Sequence, residues 1–168
     1  MLEFNLVGLG FSSINIGDTD IKGLEVSIVG RGNFFGLPTS ILTGYTWIDP
    51  RFLSWDTRPI EAGQEATQGQ VNYNNSSNKE QNLLKYRSRR TFKLDVETEV
   101  KSLSFGLETF YASHIEAIDF IFAAIVDGLG TYREKNNEGY LVNNLRSSYK
   151  FSESVKLSLL FNNVFNED

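Results

Sequence analysis

The feature that most constrains this chain is a period-two alternation that returns in run after run. From Leu141, every second residue (Leu141, Asn143, Leu145, Ser147, Tyr149, Phe151) is mostly apolar or aromatic. The residues between them, Val142, Asn144, Arg146, Ser148 and Lys150, are mostly polar and basic. A period of two puts the two sets on opposite faces of a strand. A short polar break, Ser152 to Ser154, leads to a second run, with Val155, Leu157, Leu159 and Phe161 against Lys156, Ser158, Leu160 and Asn162. Two such runs across so short a break predict a β-hairpin.

The same pattern organises the rest. Met1 to Leu6 reads as the tail of a strand before a turn at Gly8 and Gly10, and Phe11 to Val29 is long and β-rich. Gly30 to Pro38 reads as a turn, and Thr39 to Asp49 as the next strand. Arg51 to Gln81 shows no convincing period and reads as a long loop. Asn82 to Val100 is the longest strand signal, with Leu84, Tyr86, Phe92, Leu94 and Val96 on one parity. Lys85, Arg87, Arg89, Thr91, Lys93, Asp95, Glu97 and Glu99 take the other. After a break at Lys101 and Ser102 comes a strand from Leu103 to Ser113. His114 to Glu138 is a second long connection, in which AIDFIFAAIVDGLG forms either a short helix or an extra β segment.

Connections therefore alternate: short, long, short, long, short. In an up-and-down sheet, alternate connections lie at the same end, so one end carries tight turns and the other long loops. That asymmetry is the mark of an outer-membrane barrel, whereas a soluble sandwich gives no reason for it. Composition agrees. The chain of 168 residues has thirteen Phe, seven Tyr and only three Pro, which leans towards all-β structure. It has no apolar run near the roughly eighteen residues of a membrane helix, and Met1-Leu2-Glu3-Phe4-Asn5 lacks the basic start of a secretory signal. With no cysteine, disulfides and thiolate metal sites are excluded. A net charge of −5 argues against a general nucleic-acid binder.

Five pieces, INIGDTDIKGLEVSIVGRG, ILTGYTWIDP, LKYRSRRTFKLDVE, YREKNNEGYLVNNLRSSYKF and LLFNNVFNED, stand in an order that covers essentially the whole chain. As an ordered set they resemble the C-terminal barrel region of TonB-dependent outer-membrane receptors, particularly those of Bacteroidetes-type bacteria. The resemblance implies an all-β, antiparallel up-and-down meander: an incomplete fragment of a transmembrane β-barrel. Its plug domain and final strand would be absent, leaving about six or seven strands of the roughly 22 in such a plugged barrel. It also implies a location in the bacterial cell outer membrane and active uptake of a scarce nutrient: a siderophore, metal complex, vitamin or glycan. Expected partners are outer-membrane lipid and, in the full-length protein, its own plug domain, the TonB energy-coupling complex and a small-molecule ligand, with no nucleic acid. No chemistry on the substrate is implied, so the protein is not expected to be an enzyme. A passive porin and a soluble β-sandwich binding module remain the rival readings.

Site residues are few. No Ser/His/Asp order, phosphate loop or HExxH motif occurs, so no catalytic, cofactor or metal site is expected. His114, the only histidine, reads as a rim or loop residue. Lys85, Arg87, Arg89 and Lys93 form the basic part of one charged face. They are the lumen-facing candidates for substrate contact. Trp47, Tyr45, Tyr111 and Tyr140 on the long-loop side, with Tyr149 and Phe151 on the short-turn side, are candidates for two aromatic girdles. Leu84, Phe92, Leu94, Leu157, Leu159 and Phe161 should share the outer face. Six or seven strands cannot close, since the smallest membrane barrels have about eight. Open edges are therefore expected near Phe11 to Val29 (or Met1 to Leu6) and near Val155 to Val164.

Overall fold

A computed structural model describes residues 2–5, 10–13 and 17–166. Six strands form one sheet: β3 (Thr19–Phe34), β4 (Leu37–Phe52), β5 (Arg90–Val100), β6 (Leu103–Ala112), β7 (Tyr140–Lys150) and β8 (Lys156–Phe161). Each lies beside its sequence neighbour, in the order β3-β4-β5-β6-β7-β8. The pairs from β4 to β8 are antiparallel, so the sheet is an up-and-down meander. It does not close, and β3 and β8 are its two edges, as expected. The short strands β1 (Leu2–Asn5) and β2 (Gly10–Ser13) pair separately. The expected turn at Gly8 lies outside the described residues.

Tight turns explain the hairpins. The turn expected over Gly30 to Pro38 contracts to Phe35 and Gly36, with φ of 49° and 80°. Positive φ at both central residues matches the twist of the strands it joins. Gly30 and Gly32 stay within β3, and Pro38 sits near the start of β4. Lys101, at φ 57°, turns β5 into β6. In the last hairpin the Phe151 and Ser152 N–H groups both donate to the Val155 carbonyl, at 3.0 and 3.3 Å.

The chain divides into two compact units. The sheet unit comprises Leu24–Trp47, Arg90–Ser113 and the described part of Gly139–Asp168. Its register sorts side chains into two faces. Ile41, Val96, Leu107, Leu145 and Phe161 form one cross-strand row, and Tyr45, Phe92, Tyr111 and Leu141 another on the same face. Phe92, Leu94, Leu157, Leu159 and Phe161 share this face, as their parity predicts. Two polar side chains on it pair with each other: Thr109 Oγ1 donates to Asn143 Oδ1 at 2.8 Å. The opposite face carries Lys93, Asp95, Glu97, Glu108, Asn144 and Arg146. Tyr140 pairs with Ala112 and so falls on this charged face, away from the other girdle candidates.

The connection unit comprises Ile48–Arg89 and His114–Glu138, with the described part of Met1–Gly23. Here the sequence reading needs two corrections. The strand expected over Asn82 to Val100 begins only at Arg90. Leu83, Leu84 and Lys85 are buried in the connection unit, and Tyr86 takes a φ of 60° that no strand allows. Leu84 is therefore not on the apolar sheet face. The long loop Arg51 to Gln81 contains helix α1 (Gln68–Asn74). Its start is a capping box: Thr67 accepts from the Gln70 N–H while the Gln70 side chain accepts from the Thr67 N–H. Of the two forms open to the stretch Ala117 to Gly130, the helical one is taken, from Phe120 on, as α2 (Phe120–Ile125) and α3 (Leu129–Lys135).

Phe52, Leu83, Leu84, Ala117 and Ile118 are all buried in the connection unit. Phe52 stacks on Trp55 with ring centroids 5.8 Å apart, and Trp55 meets Tyr73 edge-on at 5.7 Å. Enclosing a side chain the size of Phe52 contributes about 1.5–3 kcal/mol. Residues that look like polar loop thus supply a closed core, while the strands expose apolar surface.

Candidate functional site

Lys85, Arg87, Arg89 and Lys93 share a parity but not a place. Only Lys93 lies in β5, where its ammonium is 3.4 Å from the Glu108 carboxylate on β6. The other three precede the strand and belong to the connection unit.

Lys85 is fully enclosed. Its Nζ donates to Asp119 Oδ1, and the two side chains are 2% and 0% exposed. Tyr86 completes the group: its hydroxyl donates to Asp119 Oδ2 at 2.8 Å and accepts from the Asp119 N–H at 3.2 Å. Burial, reinforced by the Asp119 carboxylate, pushes the Tyr86 hydroxyl up to about 12. The backbone continues the contact: the Tyr86 N–H donates to Ala117 O at 2.8 Å and the Ser77 N–H to Ile118 O at 2.9 Å. Residues from the two long connections are thereby held together by a buried charge and a short ladder. Arg89 reaches Asp49 at 2.8 Å and Glu116 at 3.3 Å, and Arg87 is exposed.

A cleft of about 860 Å³ opens in the same unit, between Ser77–Glu80, the segment His114–Glu116 and helices α2 and α3. Phe120 and Arg133 are among its walls. His114 stands at its edge, two residues past β6, in keeping with a loop position. Burial, then the nearby Arg133 charge, holds the imidazole below its ordinary value, partly offset by Glu116 and the backbone of Asn136. Among the described residues, no group of three or more His, Cys, Asp or Glu side chains is placed to hold a metal ion.

In the sheet unit, the charged face is wired across three strands. Arg146 on β7 faces Gly106 on β6, and Gly106 faces Glu97 on β5. The guanidinium lies across the glycine to donate to Glu97 Oε2 at 3.0 Å and to both oxygens of Asp95. A Cβ at Gly106 would fall within 2.9 Å of Arg146 Cζ, so only glycine leaves the route open. Glu108 also accepts from Asn144 Nδ2 at 3.2 Å. Near the tight turn between β3 and β4, a smaller groove of about 330 Å³ is lined by Arg31, Thr39, Glu97 and Glu99 among others.

Sequence reading placed Arg146 on the polar parity but missed its partners, which depend on register. It also missed Asp119 as the buried partner of Lys85 and Tyr86. A signal existed: Asp119 is the lone carboxylate in the apolar run from Ala117 to Val126, and such a charge needs a partner when buried.

No curated protein and no solved structure matches the chain. The family model described as "TonB dependent receptor-like, beta-barrel" matches residues 2–166. That family is one of outer-membrane transport receptors rather than enzymes. The match takes in every strand described above, and on it the chain belongs to the TonB-dependent receptor-like β-barrel family.

Proposed function

We propose that this chain forms part of the wall and long loops of an outer-membrane active transporter, which takes up a scarce nutrient with energy from the TonB complex. The observation that carries this reading is the sheet itself. Its row Ile41, Val96, Leu107, Leu145 and Phe161 exposes large apolar side chains along one face of a single layer; Leu107 is 38% and Phe161 57% exposed. A water-facing sheet does not leave such a band open, whereas a barrel strand turns it to lipid and the polar parity inward. The charged face with Lys93, Asp95, Glu97, Glu108 and Arg146 is then the lumen side, and a plug domain is its partner. Lys85, Arg87 and Arg89 contribute to the loop region instead. Two open edges, β3 and β8, call for further strands, because fewer than about eight do not close.

The test is uptake by cells carrying the protein, with and without their energy-coupling protein. Accumulation of a nutrient should collapse to the level of cells lacking the receptor when coupling is lost. Equal accumulation in both strains would make the protein a passive pore and overturn the proposal.

A further inference from the structure

We propose that the cleft of the connection unit binds a small organic acid, with its acidic group on Arg133 and its carbon skeleton along Phe120. As the cargo of transport, such an acid would deepen the function proposed above, and to that extent it rests on that reading.

One cation in the cleft wall lacks a carboxylate partner among the described residues. Arg133, in the last turn of α3, is half-buried. Its guanidinium donates to the Ile115 carbonyl. Among the described residues, no carboxylate lies within ion-pair distance of it. Five N–H donors are available on a guanidinium, in a planar fork that suits a carboxylate or phosphate. A half-buried cation gains from an anion placed against it, and partial burial lowers the Arg133 pKa, offset by the nearby Tyr86 hydroxyl, while the guanidinium stays charged. The acids around the cleft do not meet this need. Glu116 is bound to Arg89, while Glu80 and Glu134 are exposed, where water satisfies them. Lys79, an exposed cation, stands over the same wall. Its Nζ sits 5.2 Å from the Phe120 ring and 5.3 Å from that of Tyr73.

The apolar wall is equally specific. Phe120 is 46% exposed and lines the cleft with Ala123. Neither α2 nor α3 buries a residue, so this ring is not spent on the core. A cleft of about 860 Å³ suits a small molecule with one acidic end and a ring or short chain.

His114 is the only histidine and lines the same cleft, so its ring resonance reports binding alone. The experiment uses histidine-labelled protein in detergent micelles, titrated with benzoate, with its neutral isostere benzamide, and with inorganic phosphate. Benzoate should give a saturable shift of the His114 signal, and benzamide none at equal concentration. Arg133→Gln should weaken benzoate by about tenfold or more, while Arg133→Lys, which retains the charge, should lose less. If either variant loses its folded signal, Phe120→Ala in the unaltered Arg133 background should still weaken benzoate and leave phosphate unchanged. Equal shifts from benzoate and benzamide, no shift from benzoate, or full affinity in Arg133→Gln would each overturn the site. Phosphate binding as tightly as benzoate would overturn the role of Phe120. Micelle binding needs no energy coupling. Failure of coupled uptake would therefore sink the transport reading and leave the site standing, and loss of binding would do the reverse.

Discussion

Asp119 shows how a single residue decides a connection. It lies in an apolar run, is fully buried, and holds Lys85 and Tyr86 from the other long connection. Removing one partner strands the other charge. Lys85→Met should cost about 3–5 kcal/mol, read as a lower urea midpoint of the protein in lipid. The double variant Lys85→Met, Asp119→Leu should recover much of that loss, because no charge then remains to be solvated. His114 gives a pH-dependent counterpart. Its folded value lies below the ordinary 6.5. Between the two values the unfolded chain holds more of the proton, so stability rises with pH through that window and is lost as pH falls below about 6.5. His114→Gln should flatten this part of a stability–pH curve, and an unchanged slope would show that His114 is solvated. Gly106 matters for what it lacks. Gly106→Val should push Arg146 off Asp95 and Glu97, at a cost of about 1–3 kcal/mol. In an Arg146→Ser background the same change should cost less, as a double-mutant cycle would show.

At the scale of the element, β5 carries both environments on consecutive residues. Leu94 belongs to the apolar face and Lys93 to the charged one, 3.4 Å from Glu108. Leu94→Arg puts a guanidinium into hydrocarbon, at roughly 2–4 kcal/mol near the midplane. Lys93→Ala gives up one exposed ion pair, worth under about 1 kcal/mol. The folded, heat-modifiable band of the full-length receptor in outer-membrane fractions should therefore fade for Leu94→Arg and persist for Lys93→Ala. The reverse outcome would invert the faces. Helix α1 teaches a different lesson: seven residues hold a helical conformation because Thr67 and Gln70 cap each other. The Thr-x-x-Gln signature is readable in the sequence even where no hydrophobic period is.

For the whole molecule, an open meander with one apolar face has two ways to aggregate: edge to edge through β3 and β8, and face to face. In plain buffer the chain should collect as insoluble material. Lipid vesicles or detergent, which cover the apolar face, should keep more of it in solution. A monodisperse, cooperatively melting monomer in buffer would contradict the lipid-facing assignment, whatever the family.

The sequence by itself determined that the sheet is a run of neighbouring strands and which residues within each strand share a face. Alternation is a local property: side chains two apart on a pleated strand point the same way whatever the partner. Hence Phe92, Leu94, Leu157, Leu159 and Phe161 were legible as one face, and Lys93 as lying opposite to them. Leu84 and Lys85 carry the same alternation and yet leave the sheet, because a buried partner 34 residues away outweighs a local period. The tertiary structure alone decided that the two long connections enclose a core, that Arg146 reaches Asp95 and Glu97 over Gly106, and that Arg133, His114 and Phe120 line one cleft. Each of these depends on register or on contacts between distant segments. Such contacts leave no period in the sequence, since any partner of the right size and charge, at any separation, would satisfy them.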